Sequence, residues 1–464
     1  MRTDAERTGR ASTEPARTGP GMPGAGQTGA RERRLHPVTP LRRAWAPLTA
    51  VVFLLKQDWI REWLTDLDWG WLAAGGLLAV LASAAYGAQS WRCTYYALTA
   101  TELRIRSGLF FRRTAHIRLE RLQAVEIAEP LLARLVGVAK LKLDVIGTEA
   151  KDELAYLGKR EARELRAELL ALAAGFTPQD AQAAGEAPAR ELARVAPKTL
   201  ATAVLLHNAV GWALLTSAIG TVAAWWALDS VWAILAAATT GLGLVWAATG
   251  GRFMGEYDWT VAKSPDGLRL DHGLLDRKHE TVPPGRVQAV RVQRPLLWRM
   301  LHRDWVRVEL DVAGSDNSLL LPVADTATAQ RVIACILPRT DLAEVRAALR
   351  PAPRRARGRA PVRAGCYAFA VHGEVFAASS GLLTPTLSLV PHAKVQSVRG
   401  RQGPWKRALG LRDVMVDTGA DTTVVAALRP ADEALEIIAG QAERSRTGRQ
   451  EARPDRWMSE VLAK

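Results

Sequence analysis

One segment of this chain is written three times with its internal spacing intact: SGLFFRRTAHIRLERLQAV around Gly108, HGLLDRKHETVPPGRVQAV around Gly273 and SGLLTPTLSLVPHAKVQSV around Gly381. In each copy a Gly-Leu pair is followed, at one fixed offset, by Gln-(Ala/Ser)-Val, which places Gln123 and Val125, Gln288 and Val290, and Gln396 and Val398 in equivalent positions. Two motifs held at the same separation in three places define three copies of one unit. Alternation fixes the local structure of that unit. Leu103 and Ile105 alternate with Arg104 and Arg106, and Leu268 and Leu270 flank Arg269, the pattern of half-buried strands that run into a glycine turn. A proline-marked break follows at Pro130, Pro295 or Pro404, then two further strands, then a helical pattern at Glu161–Leu172, Thr326–Leu337 and Ala431–Ala442. Short antiparallel strands closed by one C-terminal helix predict a small bent sheet or barrel plugged by that helix. The repeated glycines serve turn geometry, and the glutamines satisfy backbone groups where a strand begins. A shared ligand or domain surface is the rival role.

Between the units the chain changes character. Trp69–Trp91, Thr199–Leu228 and Ser230–Gly251 carry no charged side chain, and each is long enough to cross a bilayer at roughly 20 residues per helix. The shorter run Ala44–Leu55 completes a first hairpin if it spans, with Lys56 and Arg61 snorkelling to water; an interfacial helix is the alternative. Arg31, Arg33, Arg34, Arg42, Arg43, Arg92, Arg194, Lys198 and Arg252 flank the outer ends of the hairpins, whereas Asp58, Glu62, Asp66, Asp68 and Asp229 lie in the connecting loops. The positive-inside rule then places both termini and all three units in the cytoplasm. Tryptophans gather at the hairpin ends: Trp45, Trp59, Trp63, Trp69, Trp71 and Trp91 at the first, and Trp225, Trp226, Trp232 and Trp246 at the second. Interfacial anchoring accounts for them. The uncharged run also contains His207 and Asn208, read as an interhelical hydrogen bond within the membrane.

A net charge of +15 fits cytoplasmic arginines beside anionic lipid, and no nucleic-acid motif is present. Cys93, Cys335 and Cys366 stand far apart and form neither a disulfide framework nor a zinc pattern. No phosphate loop, His-Glu-x-x-His or nucleophile elbow occurs, and His272, His279 and His302 match no compact metal site. The expectation is a non-enzymatic protein without a cofactor. Its candidate binding features are basic. Arg104, Arg106, Arg112, Arg113, Arg118 and Arg121 lie on and beside the first hairpin of copy one, and Arg269, Arg277, Lys278, Arg286 and Arg291 belong to copy two. Guanidinium groups on adjacent strands can hold a phosphate headgroup bidentately, although a solvated face has the same composition. The stretch from Arg350 through Arg354, Arg355, Arg357 and Arg359 to Arg363, broken by prolines, reads as a flexible strap against anionic lipid.

The start LHPVTPLRRAW, the two hydrophobic hairpins each followed by a unit, and the third unit without a hairpin resemble the bacterial pleckstrin-homology-like membrane proteins of the YdbT-like family. The resemblance implies a pleckstrin-homology-like fold for each unit, membrane attachment and, in some members, a part in resistance to membrane-active antimicrobials. The expected fold class is an α+β membrane protein with three such domains and two transmembrane hairpins. Its expected layout is a disordered tail over 1–34, a hairpin over 35–91, domain one over 92–175, a linker over 176–198, a second hairpin over 199–251, domain two over 252–340, an Arg/Pro-rich linker over 341–363, domain three over 364–445 and a tail over 446–464. The expected role is a plasma-membrane scaffold that binds membrane lipid or a protein partner in the membrane, and not nucleic acid. A regulatory subunit of a transport or envelope-defence complex is the alternative.

Overall fold

The computed structural model describes residues 95–451 except 100, 108–112, 120–121, 146–151, 174–188, 229, 265–266, 313–318 and 420–421, together with strand positions 33–34 and helical positions 78, 81, 85 and 89. The segment Ala44–Leu55, most of Trp69–Trp91, Gly108, Arg112 and Arg121 lie outside the described residues.

Each copy folds as two antiparallel sheets and helices. Copy one contributes β1 (Arg33–Arg34), β2 (Tyr95–Leu98), β3 (Glu102–Ser107) and β4 (Arg113–Arg118) to its first sheet, and β5 (Leu122–Glu129), β6 (Val138–Val145) and β7 (Asp152–Gly158) to its second. Copy two repeats this with β8 (Arg190–Arg194), β9 (Thr260–Ser264), β10 (Gly267–His272) and β11 (Arg277–Val282), then β12 (Val287–Gln293), β13 (Trp305–Val312) and β14 (Leu319–Asp325). Copy three follows with β15 (Arg350–Pro351), β16 (Ala368–His372), β17 (Val375–Ser380) and β18 (Thr386–Pro391), then β19 (Val395–Arg401), β20 (Leu411–Thr418) and β21 (Thr423–Pro430). The described helices, in chain order, are α1 (Leu131–Leu135), α2 (Lys159–Ala173), α3 (Pro197–Leu205), α4 (Asn208–Leu228), α5 (Val231–Trp246), α6 (Arg252–Glu256), α7 (Leu296–Leu301), α8 (Thr326–Ile333), α9 (Leu342–Ala348), α10 (Pro404–Ala408) and α11 (Ala431–Glu451).

Alternation in the strands becomes burial. In copy one Leu103, Ile117, Val125, Ile127, Leu141 and Leu143 from both sheets meet Leu165 and Leu169 of α2 in one core. Helices α2, α8 and α11 therefore close copies one, two and three as the sequence pattern predicts. Gly273 and Gly381 turn the chain with φ of 107° and 98°, and a Cβ there would come within 2.0 Å of Asp276 O and 2.2 Å of Thr384 O. Only glycine fits such a turn.

The sheets do not close into separate barrels. The second sheet of one copy continues into the first sheet of the next, giving two seven-stranded sheets ordered β7-β6-β5-β11-β10-β9-β8 and β14-β13-β12-β18-β17-β16-β15. At the first splice Glu129 faces Arg277, Ala128 faces Lys278 and Ile127 faces His279. At the second, Val290 to Gln293 pair antiparallel with Leu389 to Thr386. The core follows the sheet: Val375, Ala377, Leu387 and Leu389 of copy three pack in the same cluster as Val290, Val292 and Val308 of copy two.

Four sequence expectations change here. The tail expected to be disordered over 1–34 includes β1, where Arg33 and Arg34 pair with Tyr96 and Tyr95 of β2. The linker before the second hairpin ends in β8, an edge strand paired with β9, because Leu192 and Ala193 pack on the core of copy two despite their charged neighbours. The Arg/Pro-rich linker is not a free strap. Helix α9 buries Leu342 and Val345, β15 joins β16, and Ala356 and Ala364 pack with Leu411 and Leu428. Copy three's helix runs past Ala442 to Glu451, with Gln441 and Ser445 buried and Arg449 Nη1 donating to Val395 O at 2.8 Å.

The uncharged run Thr199–Leu228 is also broken. Helix α3 buries Leu200, Ala203 and Val204 in copy two, and Trp298 Nε1 donates to Ala203 O at 3.0 Å. The apolar helix proper starts at Asn208, whose Nδ2 donates to Leu383 O at 3.1 Å and Thr384 Oγ1 at 2.8 Å. The expected interhelical role of this asparagine is corrected: it fastens the helix to the β17–β18 turn of copy three. His207 packs edge-on against Trp298, and burial beside the Arg252 and Arg307 charges lowers its pKa to about 4.

Residues Asn208–Ala227 and Val231–Glu256 form two helices long and apolar enough to cross a membrane, only 11% and 6% buried over their most apolar stretches. Their outward faces are apolar, with Trp226 85% and Trp232 79% exposed. The helices cross at Gly241, where a Cβ would lie 1.9 Å from Ser217 Oγ, a close approach of the kind small residues allow between apolar helices. At the base of the hairpin, the largely buried Arg307 donates to Glu256 at 3.0 Å and Glu309 at 3.1 Å, while Arg252 reaches Glu256 at 3.0 Å.

Candidate basic cleft at the first splice

The first splice creates a cleft of about 360 Å³ between copies one and two. Two sequence-predicted residues line it, Arg269 of β10 and Arg277 of β11. Alternation directs them there. In β10 Leu268 and Leu270 turn into the core of copy two, so Arg269 projects from the other face. The remaining cations come from copy one, namely Lys159, Arg163 and Arg166 of α2. They follow one another at intervals of four and three residues, which places them on one face of the helix, while Ala162, Leu165 and Leu169 fill the core.

The acids of the cleft have partners. Glu129, nearly buried at the end of β5, lies 3.0 Å from Lys159 Nζ and 3.9 Å from His279 Nε2. The Asp271 carboxylate accepts from His279 Nδ1 at 2.6 Å. Burial pushes Asp271 upward, but the His279 hydrogen bond and the His279, Arg277 and Arg166 charges together hold its pKa below the ordinary aspartate value. Arg166 donates to Thr281 Oγ1 across the splice, and Arg277 lies 3.3 Å from Asp258. Four guanidinium groups thus converge on a concave wall whose two carboxylates are held by a lysine and a histidine. Such a wall is suited to a phosphate-sized anion, because forked guanidinium donors match its oxygens.

The other predicted basic residues do not join this group. Arg104 and Arg106 lie on β3, Arg104 bound to Glu102, while Arg113 and Arg118 occupy β4 opposite Ser107 and Glu102. Lys278 is exposed on β11, opposite Ala128. Arg286 ends a short turn, and its carbonyl accepts from Gln288 Nε2 at 3.3 Å. Arg291 belongs to the second splice, paired with Asp311 at 2.8 Å. Val290 is fully buried and Val125 nearly so, and Gln396 and Val398 lie on β19. The histidines of copy two disperse: His272 stacks on Trp259, His302 stacks on Trp305, and His279 stays in the cleft.

Paired small sheets, a closing helix and threefold repetition define a chain of pleckstrin-homology-like modules. The chain belongs to the bacterial PH domain family, which matches residues 50–173, 202–340 and 344–445. No curated protein and no solved structure matches it.

Proposed function

We propose that this protein is a non-enzymatic scaffold of the bacterial plasma membrane, anchored by its hairpins with both termini and all three domains cytoplasmic, and that the cleft at the first splice binds the phosphate of an anionic lipid headgroup. Convergence of Arg163, Arg166, Arg269 and Arg277 is the observation that carries this reading. A membrane-length hairpin rooted in copy two keeps the cleft near a lipid surface, where tethering raises the effective concentration of a weak ligand. The YdbT-like layout of hairpins and units supports placing the scaffold in cell-envelope maintenance.

The test is native mass spectrometry of the full chain in mild detergent with dioctanoyl phosphatidylglycerol or dioctanoyl phosphatidylcholine. The glycerol lipid is expected to bind, the choline lipid to bind much more weakly, and Arg269→Ala with Arg277→Ala to weaken the former about tenfold or more, as loss of charged hydrogen bonds implies. Equal binding of the two lipids, or unchanged binding by the double variant, refutes the assignment.

A further inference from the structure

The two splices obey one rule. Counting from the repeated glycine and glutamine, each pairs the fifth residue after a glutamine with the fifth residue after the next copy's glycine: Ala128 with Lys278, and Gln293 with Thr386. Two independent junctions in identical register are a property of the unit, since slipping by one residue would turn every side chain to the other face.

The rule leaves one strand of each kind over. Copy one has a glycine-side strand, β4, and copy three a glutamine-side strand, β19; each ends its sheet, and neither has an outer partner among the described residues. The missing neighbour shows in the burial. Val398 remains half-buried, whereas its equivalents Val125 and Val290 are 2% and 0% exposed. Unpaired edges of this kind are templates for another strand.

We propose that copies of this chain associate head to tail, β19 of one adding to β4 of the next in the register of the internal splices. Arg401 then faces Arg113, Gly400 faces Thr114, Arg399 faces Ala115 and Val398 faces His116. A second copy is the occupant because this junction continues an interface that the chain already makes twice within itself. Arg399 does not block it. Its ion pair with Asp417 on β20 repeats the Arg291–Asp311 pair on β13, and β12, which carries Arg291, is a partnered strand. Two differences make the contact weak and reversible. Thr114 and His116 stand where the second splice has Leu387 and Leu389, and Arg401 meets Arg113, where like charges directly opposite are unfavourable. A heterologous contact of this type builds open rows or rings.

Cysteine pairing in membranes of expressing cells tests the register. In a full-length background with Cys93→Ser, Cys335→Ser and Cys366→Ser, His116→Cys with Val398→Cys is expected to give a ladder of disulfide-linked multimers. Ala115→Cys with Val398→Cys, one residue out of register, is expected to give none. A charge cycle read by the dimer fraction of the purified chain provides an independent check. Arg401→Glu and Arg113→Glu each tighten association about two- to five-fold, whereas the two together restore like charges and cancel the gain. Added salt is expected to strengthen association of the unaltered chain by screening the arginine pair. Absence of the ladder, a ladder indifferent to register, cross-linking only to a different protein, or failure of the charge cycle overturns the proposal.

Discussion

Removing Arg307 is the sharpest way to perturb the root of the second hairpin. This arginine is 7% exposed and joins Glu256 at the end of α6 to Glu309 on β13, while Glu256 is itself 8% exposed. Breaking one partner of a buried ion pair costs about 3–5 kcal/mol, because the remaining charge is left in a poor solvent. Here Glu256 keeps Arg252 at 3.0 Å and Glu309 keeps Gln293 as a donor, so Arg307→Leu belongs at the low end, about 3 kcal/mol. That corresponds to about a hundredfold change in an opening equilibrium. Native-state hydrogen exchange in detergent reads it directly, as a loss of protection of that size in β13 and α6. Arg307→Leu combined with Glu309→Leu is expected to recover most of the protection, since it removes the carboxylate left without its cation and keeps the Arg252–Glu256 pair intact. Unchanged protection in the single variant, or a double variant worse than the single, refutes the reasoning.

Two other perturbations have signs fixed by the structure. Gly381→Ala forces a side chain into the left-handed region and against the Thr384 carbonyl, so it should cost about 1–3 kcal/mol and lower the thermal midpoint of copy three, with Gly273→Ala doing the same in copy two. Burial first, and then the Arg444 charge, hold His392 at about 4, below its ordinary 6.5. The unfolded chain therefore binds the proton more readily, so the neutral histidine's stability contribution is complete above about 6.5 and is lost as pH falls through that value toward 4. Denaturation midpoints measured between pH 7.5 and pH 4 are expected to fall less steeply for His392→Asn than for the unaltered chain.

Local patterns in the chain specify much of each unit. The alternation around Leu268 and Leu270, the glycines at Gly273 and Gly381 and the proline breaks all correspond to strands, turns and short helices, because each depends on neighbours only a few residues away. The splices were not legible. The pairing of Ile127 with His279 spans 152 residues of chain, and nothing in either strand's pattern distinguishes it from a solvent-facing edge. Asn208 looked like a membrane polar group because its partners, Leu383 and Thr384, belong to another copy. Half of the cleft was within reach. Arg269 and Arg277 stand out as strand arginines, whereas Lys159, Arg163 and Arg166 share only an i, i+4, i+7 spacing on α2, which local pattern does not distinguish from a solvated helix face. In the Arg350–Arg363 segment the arginines and prolines obscured Ala356 and Ala364, the small residues that hold it on the core.

Continuity of the sheets across copies is the claim on which the cleft and the proposed head-to-tail contact both depend. Amide hydrogen exchange of the dilute, full-length protein in detergent tests it most directly. Amides of β5, β11, β12 and β18 are expected to be protected like those of central strands, with faster exchange along β4 and β19. Splice strands that exchange as fast as those two outer edges would contradict the account.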